Sequence, residues 1–297
     1  MNDTLFTIRG GGLTAIISTK GAEIQSLRSD DGKEYNWQGT PPYWQGRGPI
    51  LFPATGAPWN EIYFYNGKSY YMPKHGFVKE QNFSVTSHSE NELVLEYCPN
   101  EETQTFYPFD YLVRIIFTIS AGLLRAVFEV ENKAQSTLFF QMGGHPALVV
   151  PDFDKDRAVN GYVRLKSSKE TSELSVVRAR EQGCIQPGRF SVPKAENGLV
   201  PLCVDTFANE ALIFDNHQVQ AIELLDLKEN LVASVQSDAP CWLIWQMQGV
   251  NSPFVCFEPW YGLPDNEGES RELKDRPYVQ QVAGGSTWKG GFTIKVF

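Results

Sequence analysis

Apolar positions recur at every second place through much of this chain. In "LLRAVFEVEN", residues 123–132, Leu124, Ala126, Phe128 and Val130 fall on one face, and Arg125, Glu129 and Glu131 fall on the other, with Val127 the exception. A period of two is that of a half-buried strand. The runs "LVLEYC" (93–98), "YLVRIIFTIS" (111–120) and "GFTIKVF" (291–297) also read as strands, and "SAG" before Leu123 reads as a hairpin turn. Short β-like segments separated by Gly, Pro, Asn and Asp clusters continue to the end. The one helix-like stretch, "KETSELSVVRAREQG" (169–183), is polar with a weak apolar stripe. With no Ser/Gly-rich linker and no repeat of fixed period, the pattern predicts one all-β domain over residues 1–297. It is expected to be mostly antiparallel, a sandwich of two broad sheets with its chemistry on loops over one sheet face.

The composition narrows the partners. The chain is 42% hydrophobic and 21% charged, with a formal net charge of −9 and no basic run. Binding to a phosphate backbone needs clustered Lys and Arg, so nucleic acid is excluded as a partner. The first residues, "MNDTLFTIRGGG", have neither the basic nor the apolar region of a signal peptide, and no apolar run is long enough to span a bilayer, so no membrane partner is expected. Five cysteines, widely spaced and without a C-x-x-C pair, read as free buried thiols in a reducing cytoplasm. Aromatic residues make up 13%, a proportion that suits both sheets and sugar faces. Neither a monomer nor a homodimer is favoured.

Three segments carry candidate chemistry. "QMGGHPALVVP" (141–151) reads as a strand ending in a rigid turn that holds out one imidazole, His145. The two glycines allow close approaches, and the proline restrains the histidine backbone. "MPKHGF" (72–77) places His75 beside a glycine, and "FVCFEPWYGLPD" (254–265) puts Glu258 in an apolar strand-like run just before Pro-Trp. Desolvation there raises a carboxyl pKa toward neutrality, which suits general acid–base work. Two histidines and one strand-end glutamate form a complete acid–base set. Cys256 shares a strand face with Glu258 and reads as core. The histidines lack metal-ligand spacing, so no metal is expected, and there is no G-x-S-x-G nucleophile elbow and no phosphate loop.

In order, "GAEIQSL…EYNWQG", "PILFPATG", "MPKHGF", "GGHPA", "EALIFDN" and "FVCFEPWYGLPD" resemble matching blocks of the aldose 1-epimerase (mutarotase) family, most closely its less characterised bacterial branch. The resemblance covers roughly residues 5 to 297. It implies a galactose mutarotase-like β-supersandwich, with a sugar in an open cleft over one sheet. It also implies cofactor-free interconversion of the α and β anomers of a free aldose. Glu258 then corresponds to the general base on the anomeric hydroxyl and His145 to the general acid at the ring oxygen, on opposite sides of C1–O5. His75 corresponds to the family's second histidine, on sugar hydroxyls or the ring oxygen.

Two departures from the family pattern stand out. Glu210 occupies the place where the family often carries a sugar-binding Asp, and Lys79 stands where relatives carry an Arg. Arg47 is expected to contact a sugar hydroxyl or a phosphate, and Trp260 to lie against the sugar or in the core. Two other readings stay open: a carbohydrate-binding protein on the same fold with little catalysis, and a mutarotase for a 6-phosphorylated or sulfonated hexose.

Overall fold

Long alternating runs and tight turns make the centre of the chain an antiparallel meander. In the computed structural model, which describes residues 4–167, 173–180, 183–195 and 198–297, the strands Tyr111–Ser120 and Leu123–Asn132 occupy the predicted ranges. They are joined through Ala121 and Gly122, both at positive φ, which is the two-residue hairpin geometry whose twist matches that of its strands. Leu124, Ala126, Phe128 and Val130 are fully buried on one face. On the other, Glu129 pairs with Arg114 at 2.7 Å and Lys289 at 2.6 Å.

This hairpin belongs to a nine-stranded sheet. Its last partner, Thr287–Val296, contains the predicted C-terminal strand. A second sheet of eight strands packs on the first, and a three-stranded sheet of Leu5–Gly10, Leu13–Ser18 and Ile24–Ser29 lies beside them. Every pairing between strands is antiparallel among the described residues, and parallel contacts are confined to isolated bridges such as Phe52 to Gly76. The architecture is the expected all-β sandwich.

The helix-like stretch turns out otherwise. Residues 169–172 and 181–182 lie outside the described residues, and Ser175–Ala179 is a strand paired on both sides. Its β-branched Val176 and Val177 favour a pleated surface, and neighbouring strands bury them. The one α-helix among the described residues is the six-residue Glu101–Phe106, capped by Asn100, whose side chain accepts from the Thr103 N–H at 2.9 Å. No helix among the described residues is long and apolar enough to cross a membrane. The five cysteines are free; Cys184, Cys241 and Cys256 are buried, whereas Cys98 is exposed, against expectation.

The strand Phe254–Tyr261 is buried along its whole length, because it sits inside the eight-stranded sheet with neighbouring strands on both sides. Val255 and Phe257 point into the main core between the sheets. The alternate positions Cys256, Glu258 and Trp260 share the other face. On the neighbouring strand, Cys241–Trp245, Leu243 and Trp245 lie opposite Glu258 and Cys256.

Candidate active site

A cleft of about 860 Å³ opens over this second face. Its floor includes His145, Leu243, Trp245, Glu258 and Trp260 at the sheet, and its walls are loops that carry Trp44, Lys74 and His75.

His145 is brought to Glu258 by strand register. Met142–Gly144 and Ala147–Val149 both pair with Phe254–Tyr261, Gly143 opposite Trp260 and Ala147 opposite Cys256. The register is unbroken across the gap, so position 145 falls opposite 258. The segment is thus not a strand that ends in a turn: Pro146 interrupts the ladder for two residues and the strand resumes. His145 Nε2 stands 3.2 Å from Glu258 Oε2. The glycines act by close approach. A Cβ at Gly143 would meet the Trp260 ring at 2.7 Å, and one at Gly144 would meet the Phe292 ring at 2.4 Å.

Burial governs the electrostatics. Glu258 is wholly buried and neither carboxylate oxygen has a well-directed hydrogen-bond donor among the described residues. Desolvation therefore pushes its carboxyl well above the usual range, although the Lys74 charge and the Trp260 indole N–H favour the carboxylate. The same burial depresses the His145 imidazole, and the charges of Lys74 and Lys79 add to this. Trp44 covers His145 with ring centroids 4.8 Å apart and 32° between planes. Trp245 meets the imidazole edge-on at 6.0 Å.

His75 enters from the opposite loop. Its backbone is left-handed at φ 66°, and the following Gly76 is at φ 68° with no room for a side chain, since a Cβ would lie 2.1 Å from the Phe52 carbonyl oxygen. The His75 N–H donates to the Gly56 carbonyl at 2.7 Å, and the Gly56 N–H donates back to His75 Nδ1 at 3.1 Å. That bond fixes the neutral tautomer with its proton on Nε2. Burial, then the His145 and lysine charges, hold this imidazole well below its ordinary range. The rings of His75 and His145 meet edge to face at 5.8 Å.

The other expected residues divide. Glu210, Lys79 and Trp260 line the cleft. Glu210 lies 3.4 Å from Lys74 Nζ, and Lys79 Nζ donates to the Lys74 carbonyl at 2.6 Å. Arg47 is not among the cleft-lining residues. Its guanidinium donates to the Gln25 carbonyl at 3.1 Å and to Gln38 Oε1 at 3.4 Å. Its place in a Gly-rich loop concealed those acceptors. His145 and Glu258 also stand side by side on the sheet rather than across the cleft from each other. Trp44, Lys74 and Trp245 were missed by sequence reasoning. Trp44 sits in an irregular loop and Trp245 at the end of a strand-like run, and only the fold sets them beside His145.

His145, Glu258 and Cys256 bring a nitrogen, an oxygen and a sulfur within 4.8 Å of one another, which the sequence spacing did not indicate. Burial raises the Cys256 thiol well above its usual range.

Comparison with known proteins adds family evidence. The sequence model of the aldose 1-epimerase family matches residues 4–272. The chromosomal protein LacX of Lactococcus lactis subsp. lactis is 27% identical over 292 residues, with 96% of each chain covered. A galactose mutarotase related enzyme from Lactobacillus acidophilus superposes with a TM-score of 0.90 at 28% identity, over 99% of this chain and 97% of that one. A galactose mutarotase-like protein from Lactobacillus casei gives a TM-score of 0.90 at 26% identity, over 99% of this chain and all (100%) of the other.

Proposed function

The chain belongs to the aldose 1-epimerase family, and we propose that it interconverts the α and β anomers of a free, uncharged hexose by acid–base ring opening and reclosure. The observation that carries this reading is the contact of His145 with Glu258, 3.2 Å apart on the floor of an open cleft. O1 and O5 of a cyclic aldose are both bonded to C1. Two adjacent groups on one wall therefore reach both oxygens from one side.

The Glu258 carboxylate takes the O1 proton while the His145 imidazolium gives its proton to O5, and the C1–O5 bond breaks. Rotation about C1–C2 turns the carbonyl face. On reclosure the protonated Glu258 returns a proton to O1 and the neutral His145 takes one from O5. The pair holds one proton throughout. Desolvation keeps the resting pair neutral, with the shared proton on Glu258, so the cycle begins with its transfer to His145 across their 3.2 Å contact; from there a raised carboxyl pKa makes the carboxylate a stronger base, and a lowered imidazole pKa makes the imidazolium a stronger acid. His75, with its Nε2 proton held toward the cleft by the Gly56 bond, donates to a sugar oxygen. Glu210 and Lys79 contact hydroxyls, and Trp260 offers an aromatic surface.

The preference for an uncharged sugar rests on the lysines that line the cleft. Lys20 pairs with Glu80 at 3.0 Å, Lys74 with Glu210 at 3.4 Å, and Lys79 with a carbonyl. A phosphate or sulfonate would have to compete for each.

Polarimetry of freshly dissolved α-D-glucose and α-D-galactose, with the wild type and Glu258→Gln, tests the reading. The wild type should accelerate mutarotation and the variant should not. Binding of either sugar without acceleration by the wild type would overturn it in favour of a carbohydrate-binding protein.

A further inference from the structure

The donor set at the floor of the cleft is wider than proton transfer needs. Cys256 and Glu258 are alternate residues of one strand, and so share a face, and His145 is across the register from Glu258. Their Sγ, carboxylate O and imidazole N lie within 4.8 Å of one another. Cys256 and Glu258 are 0% exposed and His145 is 7% exposed. Both Glu258 oxygens lack a directed donor among the described residues. The nearby Lys74 ammonium, which opposes a cation, is itself paired with Glu210.

We propose that His145, Cys256 and Glu258 form a three-ligand site for a thiophilic divalent cation of the Zn²⁺ class, with a fourth position open to the cleft. Zinc bonds of about 2.0–2.1 Å to nitrogen, about 2.0–2.2 Å to oxygen and about 2.3 Å to sulfur place tetrahedral ligand atoms roughly 3.3–3.6 Å apart. The 3.2 Å between His145 Nε2 and Glu258 Oε2 already matches one edge of that tetrahedron. The Cys256 Sγ lies within 4.8 Å of both other ligand atoms and would move nearer on binding to close the remaining edges. The set also suits such an ion chemically: a thiolate and an imidazole select it over magnesium or calcium, which take oxygen ligands. Coordination releases the thiol proton and the carboxyl proton to the buffer, leaving thiolate, carboxylate and neutral imidazole on the metal.

The consequence for catalysis rests on the function proposed above. A bound cation occupies the base and the acid together, so the metal inhibits.

Cobalt(II) added to the metal-free full-length protein supplies a readout independent of activity. One equivalent should give an intense visible spectrum and a near-ultraviolet thiolate-to-cobalt band, both displaced by Zn²⁺. Cys256→Ser should lose the thiolate band and bind Zn²⁺ at least tenfold more weakly by calorimetry, while Cys98→Ser should keep both. Wild-type mutarotation should fall on addition of Zn²⁺ and return with chelator, whereas Cys256→Ser should stay active at the same Zn²⁺ concentration. A missing band in the wild type, or one that persists in Cys256→Ser, overturns the site. If Cys256→Ser does not fold, His145→Asn replaces it, and retention of a tetrahedral cobalt spectrum by that variant counts against the proposal. A band in a protein that accelerates no mutarotation would leave the metal site standing and remove the functional reading instead.

Discussion

His145 faces Glu258 across an antiparallel strand pair, with Nε2 3.2 Å from Oε2. In the reaction proposed above, the strand pairing on either side of His145 would hold the acid and the base at a set separation. The arrangement needs no reorganisation before proton transfer, which is where preorganisation lowers a barrier.

In the proposed mechanism the two groups act on one proton, so their losses should not add. Glu258→Gln and His145→Asn should each lower kcat by about 10²–10⁴-fold, the usual size of a general acid–base contribution. The double variant should fall little below the weaker single, as residues that work as a unit do. Polarimetric kcat values for the four proteins make the comparison. A double variant whose loss equals the product of the single losses would separate the two groups mechanistically.

Burial of Glu258 also shapes stability. Its folded-state pKa is raised above the unfolded value of 4.5, so above that pH the folded form holds the proton more tightly. Stability from this group is complete at lower pH and is lost as pH rises. His145 and His75, depressed from 6.5, act oppositely, but only below that pH. Toward pH 9 the buried thiols of Cys184, Cys241 and Cys256, raised by the same desolvation, add a contribution common to the wild type and a Glu258 variant, so the difference between those two proteins isolates the glutamate. Glu258→Gln, which carries no titrating proton, should therefore gain on the wild type as pH rises, by up to about 1.4 kcal/mol per unit. Urea denaturation of both proteins across that range measures it, and a constant difference would mean that Glu258 is already ionised when folded.

These consequences show how much was readable from the chain. Alternation in 111–132 fixed the central hairpin, because its side chains truly divide between core and solvent. The same rule pointed to the shared face of Cys256 and Glu258. It missed the strand Ser175–Ala179, where polar residues surround two valines and sheet neighbours decide the outcome. His145 was readable as special from Gly-Gly and Pro, but its partner across the register was not, since pairing joins positions 113 residues apart. The surroundings of Arg47 were hidden for a similar reason: this loop residue finds acceptors in Gln25 and Gln38, which only the folded chain brings near.

The Trp44 face over His145 bears on the acid itself. An electron-rich indole stabilises a cation above it by about 0.5–2 kcal/mol, more when water is excluded. The imidazolium proposed to protonate O5 is such a cation, whereas the neutral imidazole gains far less. Trp44→Ala should lower kcat about three- to thirtyfold with a smaller change in KM, and should move the acid limb of the kcat–pH profile downward. Trp44→Phe should recover most of the loss. If the alanine variant changes KM alone, Trp44 is a sugar contact and not a support for the acid.

A last prediction concerns the loop behind the cleft. Arg276 Nε donates to Asp265 Oδ1 at 2.9 Å, with both side chains essentially inaccessible. Asp265 also binds through its backbone, its N–H donating to Ala57 and its carbonyl accepting from Ile185, so the pair anchors the segment that sets Pro264 against Gly56 on the cleft wall. Breaking one half of a buried pair leaves the other charge uncompensated, at a cost of about 3–5 kcal/mol. Asp265→Asn, which preserves shape, should lower stability by that amount in equilibrium denaturation. The double variant Asp265→Leu/Arg276→Met should recover a large part of it, because two apolar groups of similar volume leave no charge to solvate. A loss under 1 kcal/mol in Asp265→Asn would mean that Arg276 finds a second acceptor when its carboxylate is removed.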